Sequence, residues 1–163
     1  MTKVYISDTN IWIDLRNAGL LDELFQLPIT FCCTEFVLHE LNDLPKEHLV
    51  TLGLMIEALD DAAVSQLFTL KNEHGNSSLA DVSCYFLAQK TGHSLLTGDG
   101  KLRKQASKDG VEVMGVLWVL DQLVEHGVVP SARAAEALNA MLQHGARLPS
   151  AECQQRSTKW TQK

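Results

Sequence analysis

The chain of 163 residues has four prolines, 6% aromatic residues and four cysteines, none of them in a Cys-x-x-Cys pair. Cys32 and Cys33 are adjacent, so on a strand they would face opposite ways. A disulfide framework or structural zinc site is therefore not expected, and a reducing cytoplasmic setting is. The longest apolar run, about Val113 to Leu120, falls far short of the ~20 residues that cross a bilayer, so no membrane contact is expected. The opening MTKVYISDTN has no basic stretch followed by an apolar one, and no secretion leader is expected. Basic charge is scarce as well. Lys and Arg number 14 against 20 Asp and Glu, for a net −6, which excludes a protein that coats nucleic acid through bulk charge.

Ordinary globular composition remains, 45% hydrophobic and 21% charged, enough to bury one core and incompatible with disorder, collagen or a coiled coil. Charge is unevenly spread. Residues 131–163 carry a net +3 and the rest a net −9, with a further basic knot at Lys101, Arg103, Lys104 and Lys108. Taken alone, such runs read as solvated helix faces.

Short β-rich runs at Lys3–Ser7, Ile29–Cys33 and His93–Thr97 predict strands, with Val111–Met114 as a fourth. Leu52–Glu57 reads as a fifth strand or as helix. Thr34 is placed to cap a helix with Val37, Leu41 and Leu44 as one apolar stripe. Helices are also predicted over Asp60–His74, from Ser78 through Gln89, over Lys101–Lys108, and along Leu117–Val124 with Gly127 as a left-handed cap. Pro130 and Ser131 start another that ends at Gly145, and a last polar helix follows Pro149 towards Trp160. Trp12 and Trp118 are expected in the core and Trp160 at an edge. Strands alternating with helices predict an α/β three-layer sandwich with a mainly parallel, roughly five-stranded twisted sheet. Val128–Pro130 divides it into a sheet domain, 1–129, and a C-terminal helical extension, 130–163.

In an open parallel sheet, ligands bind beyond the carboxyl ends of the strands. Asp8 and Asp99 follow two strands directly, and Glu40 and Asp81 belong to helices packed on that edge. Each has a structural reading. Asp8 could cap the next helix, Asp81 with Ser78 spells Ser-x-x-Asp, and Asp99 in TGDG suits a turn. Glu40 borders an apolar stripe, where a carboxylate resists burial unless a cation pairs with it. Four converging carboxylates repel one another, and a hard divalent ion relieves that; oxygen-only ligands select Mg²⁺ or Mn²⁺ over zinc. Such a site hydrolyses phosphate esters. His39-Glu40 does not begin a zinc-protease motif, because position 43 is Asp. No phosphate-cradling loop and no Gly-x-Ser-x-Gly elbow occur.

The segments SDTNIWIDL (7–15), FVLHEL (36–41), SSLADVSCYFLA (77–88) and LLTGDGKLRK (95–104) together resemble the PIN-domain family of nucleases. The resemblance implies a five-stranded, mainly parallel sheet and Mg²⁺- or Mn²⁺-dependent cleavage of RNA. By position, Asp8, Glu40, Asp81 and Asp99 match the family's acidic quartet as catalytic and metal-holding residues. Asn10 and Thr97 match polar neighbours that orient those acids. Lys101, Arg103 and Lys104 would then stand where substrate phosphates need cations. Many members carry another acid shortly after the position of Asp99; here Gly100, Lys101 and Leu102 follow. Many bacterial relatives are VapC-like toxins held by an antitoxin, and homodimers are common. The stretch from Gly115 to Pro149 is similar to the C-terminal region of stand-alone bacterial PIN proteins. Two rival readings stay open: a phosphatase or phosphotransfer domain, which would need a nucleophilic aspartate with a second acid two residues on, and a PIN-like binding module without catalysis.

Overall fold

The structure is a computed structural model that describes residues 3–162; Met1, Thr2 and Lys163, the last a member of the basic tail, lie outside it. Among the described residues five strands form one sheet in the order β3-β2-β1-β4-β5, every pairing parallel. They are β1 (Lys3–Ser7), β2 (Ile29–Thr34), β3 (Met55–Glu57), β4 (Ser94–Leu96) and β5 (Val113–Met114). Parallel strands require crossovers, and α1 (Thr9–Asn17), α2 (Leu21–Leu24), α3 (Glu35–Glu40), α4 (Lys46–Leu52), α5 (Asp61–Glu73), α6 (Leu79–Thr91) and α7 (Gly100–Lys108) supply them. After β5 come α8 (Val116–Glu125), α9 (Ser131–Gln143) and α10 (Ser150–Thr161).

The crossover β1-α1-β2 steps one way from the centre, and β3-α5-α6-β4 steps the other. Right-handed crossings therefore put α1 and α6 on opposite faces. In keeping with this, α6 packs on β1, β2 and β4 beside α3, α5 and α7, whereas α1 meets α8 and α9. A sheet covered on both sides buries successive residues alike, so Cys32 and Cys33 are both in the core, free thiols pushed up to about 12 by burial. Ile6, Leu95 and Leu96 are fully buried, and each contributes about 1.5–3 kcal/mol by leaving water.

Local chemistry sets the boundaries. Ser78 accepts from the Asp81 N–H at 3.0 Å to start α6, and Gly92 closes it at φ 79°, a left-handed conformation that glycine adopts without penalty. Gly127 does the same after α8, as predicted. Several predictions are corrected. The helix capped by Thr34 ends at Glu40, because Leu41 has ψ 65° and leaves the helical region; Leu41 and Leu44 are buried from the loop instead. Leu52–Glu57 splits, its first residue ending α4 and its last three forming β3, with Gly53 at φ 127° between. Helices α2 and α4, four and seven residues long, carry no extended apolar periodicity and were not expected. Trp160 is no edge residue. With Cys153 it forms the buried face of α10, which packs on α9, and it is only 3% exposed. Trp12 is in the core, while Trp118 is half-buried, its ring 4.8 Å from that of Tyr5.

The C-terminal helices fold back on the sheet layers. Ala134, Ala137, Leu138 and Met141 of α9 are buried, and Arg133 donates to the Ala18 carbonyl at 2.6 Å. Arg156 of α10 grips Asp121 of α8 through two bonds of 2.7 and 3.0 Å. Among the described residues no helix is long and apolar enough to cross a membrane.

Candidate functional site

The carboxyl ends of β1 and β4 are neighbours in the sheet, Ser7 lying opposite Leu96, so the residues that follow them share one edge. Asp8 follows β1 and caps α1, its Oδ1 accepting from the Ile11 N–H at 3.2 Å. Its Oδ2 accepts from the Thr97 hydroxyl and, at 3.3 Å, from the Gly98 N–H. Asp99 caps α7 through the N–H groups of Lys101 and Leu102 at 3.0 and 3.2 Å. The structural and functional readings of these two acids are thus compatible. Capping fixes each carboxylate at a helix N-terminus, whose dipole favours its negative charge.

Thr97 joins them. Its hydroxyl donates to Asp8 and accepts from the Asp99 N–H at 3.1 Å. Two further hydroxyls hold the remaining acids. Thr9 donates to Glu40 Oε2 at 2.9 Å, and its own N–H supports Asp81. Ser77 donates to Asp99 Oδ2 at 2.6 Å. Neither Thr9 nor Ser77 was singled out from the sequence. Their signal was only adjacency, one to Asp8 and the other to the cap residue Ser78.

Asp81 stands at the electrostatic centre. Burial pushes its carboxyl up to about 6, and the charges of Glu40 and Asp99 push the same way. Burial, with Asp81 second, pushes Asp8 up to about 7, against the pull of its three hydrogen bonds. Asp8 has no exposed surface, and Asp81 Oδ1, also shut away, accepts no hydrogen bond among the described residues. An orphaned oxygen among clustered negative charge suits a hard cation, and the donor set is all oxygen. Glu40 is exposed and Asp99 half-buried, so the rim is open to water. Among the described residues no three acid, imidazole or thiol groups enclose an ion by themselves.

The basic residues flank this rim. Lys101 and Lys104, three apart on α7, line a cavity of about 440 Å³ that also borders Ser77 and Asp99. Arg103 leans the other way, towards Gly115, into a cleft of about 1280 Å³ between α1, β5 and the α9–α10 turn. Asn10 is exposed in that cleft, and no hydrogen bond joins its side chain to an acid; Thr9 makes that contact instead. His39 is exposed.

Known folds and families bear on this geometry. The chain spans 95% of a PilT N-terminus domain protein (SSO1118) of the archaeon Sulfolobus solfataricus, at 14% identity, over 76% of its own length and with a TM-score of 0.52. PAE2754 of Pyrobaculum aerophilum is 16% identical over 76% of this chain and 99% of that one, with a TM-score of 0.49. VapBC2 of Rickettsia felis, solved bound to a DNA fragment from its promoter, is 17% identical over 69% and 98%, with a TM-score of 0.44. At 14% identity the likeness to the Sulfolobus protein concerns the fold alone. No curated protein matches the chain. The DUF3368 family model, described as a PIN domain, matches residues 4–162, nearly the whole sequence and every element of the acidic rim, and the chain accordingly belongs to the PIN-domain family.

Proposed function

We propose that this PIN-domain protein is an endoribonuclease dependent on Mg²⁺ or Mn²⁺. The observation that carries the reading is Asp81, buried among Asp8, Glu40 and Asp99 with one oxygen unpaired. Asp8, Glu40, Asp81 and Asp99 would hold the ion, directly or through water. Bound there, it supplies neutralising charge for the carboxylates and a Lewis acid for the phosphodiester.

The chain's own groups do the rest. The helix caps and Thr97 lock Asp8 and Asp99 in one orientation, which removes the cost of ordering them at each turnover. Glu40, exposed and accepting from the Thr9 hydroxyl, would take the proton of the attacking water. Lys101 and Lys104 offset the repulsion between rim and phosphate, Arg103 adding to this from the other side. In the hydrolysis one water oxygen bonds to phosphorus, the bond to the leaving ribose oxygen breaks, and that oxygen takes a proton. A phosphotransfer role fits less well. Phospho-aspartate chemistry needs a second acid two residues after the nucleophile, and the residue two after Asp8 is Asn10.

Cleavage of unstructured RNA by the purified protein, in Mn²⁺ and in chelator, tests the proposal. Asp8→Asn and Asp99→Asn keep a capping side chain, so both should fold with native circular dichroism and lose cleavage by about 10²-fold or more. Near-native cleavage by both would overturn it. Calorimetric titration with Mn²⁺ separates the binding-module reading, which requires no heat. An antitoxin or a second copy of the chain remains a partner implied by family resemblance, and gel filtration alone and after co-expression addresses it.

A further inference from the structure

We propose that the large cleft beside the acidic rim holds a single-stranded RNA segment, its phosphates met by Arg103 and Arg147 and its base edges by Asn10, Asp14 and Asn17. The ligand class comes from the nuclease reading above; the path comes from the cleft itself. At about 1280 Å³ it exceeds the roughly 300–1,000 Å³ of small-molecule sites, and it borders Gly98 and Gly100, either side of Asp99. One wall is α1, on which Asn10, Asp14 and Asn17 recur at helical spacing and line the cleft together. The other is the turn joining α9 to α10, with Arg147 exposed upon it.

Charge and chemistry favour a nucleic-acid strand. Arg103 and Arg147 have no carboxylate partner among the described residues, unlike Arg156, which is held by Asp121. In the same cleft these two guanidinium groups offset its own acids, Asp14 and Glu152, and offer a polyanion its contacts. Between them the lining turns polar in a manner suited to bases. Asp14 is half-buried with no hydrogen-bond donor among the described residues, and burial pushes its carboxyl up to about 6. Such an acceptor suits the exocyclic amino group of cytosine, which uracil lacks, while asparagine amides donate and accept on base edges. In an RNA duplex that amino group lies in a major groove too deep and narrow for side chains to read, so the segment is unpaired. Half-buried Trp118 and neighbouring Ile13 give the base faces an apolar surface. Cation-lined cavities on both sides of Asp99 let the strand continue past the acids, as internal cleavage requires.

The test is fluorescence anisotropy with the full-length protein in chelator, so that nothing is cleaved. Labelled oligocytidylate, oligouridylate and a blunt hairpin stem are the probes. Oligocytidylate should bind about tenfold more tightly than either of the others. Asp14→Asn, nearly isosteric, should bring the cytidine-to-uridine ratio to within about twofold. Arg147→Ala, at an exposed position, should weaken both oligomers alike and lower the slope of log affinity against log salt by roughly 0.7. Affinities indifferent to both substitutions, the result expected of a cleft built for a polypeptide, would overturn the assignment, as would a stem that binds as tightly as single strands. Binding of this pattern without Mn²⁺-dependent cleavage would sink the nuclease reading and leave the cleft standing. Cleavage with indifferent binding does the reverse.

Discussion

Asp8 and Asp81 bring like charge into one partly dry volume, and the consequence can be measured as stability. Their carboxyls stand at about 7 and about 6 in the folded chain, against 3.8 for an ordinary aspartate. Below about pH 4 both are protonated folded or unfolded. From there to about pH 7 the folded chain binds these protons more tightly than the unfolded one, so stability falls as pH rises. In chelator the melting temperature should therefore decline between about pH 5 and pH 7, and Mn²⁺ at a hundredfold excess over its dissociation constant should restore about 2.7 kcal/mol. Asp81→Asn should raise the melting temperature in chelator at neutral pH and erase the Mn²⁺ response, as scanning fluorimetry would show. Thr97 is the other sensitive residue. Thr97→Val leaves Asp8 and the Asp99 N–H each one partner short in a buried place, which should cost about 1–3 kcal/mol in urea denaturation. Beyond the acids, and Thr97 as the neighbour that the resemblance implies orients them, none of this was legible in the sequence. Position after a strand marks an aspartate, but which hydroxyl reaches it depends on chains meeting from residues 9, 40, 77, 81, 97 and 99.

Among the elements, α6 couples folding to the site most directly. It contacts three strands, and every residue from Ala80 to Ala88 is buried. Its Ser78 cap also sets where Asp81 emerges. Ser78→Ala should lower stability by about 1 kcal/mol and weaken Mn²⁺ affinity, whereas Ser78→Asp, an equally good cap, should recover stability. Elements with strong periodicity or clear caps were readable: β1, β2, α6, α9. The misreadings around α3 and α4 share a cause. In α3 and α4 a few residues of apolar spacing fit a helix and a loop equally well. The decision came from Leu41 leaving helical geometry and from Gly53 adopting φ 127°, a conformation that lets α4 end and β3 begin.

For the whole molecule, the C-terminal helices matter most. We propose the division at Val128–Pro130 as one of chain order, residues 1–129 and 130–163, with the extension docked through α9 on α1 and α8. Trp160→Ala removes a buried ring from α10 and should cost about 3–5 kcal/mol, in a single transition seen alike by circular dichroism and tryptophan fluorescence. Loosening α10 also frees the turn that carries Arg147, so that variant should bind single-stranded RNA more weakly.

The mainly parallel sheet and the acids at strand ends were determined by local pattern, because β-rich runs alternating with capped helices form crossover connections and a parallel sheet directs its carboxyl ends to one edge; the strand order was decided by the tertiary structure. The burial of Trp160, the hydroxyl contacts of Thr9 and Ser77, and the cleft between α1 and the α9–α10 turn were decided by tertiary structure alone. Each depends on side chains meeting across packed layers, 22 residues apart for Ser77 and Asp99 and 31 for Thr9 and Glu40, distances over which periodicity carries no signal.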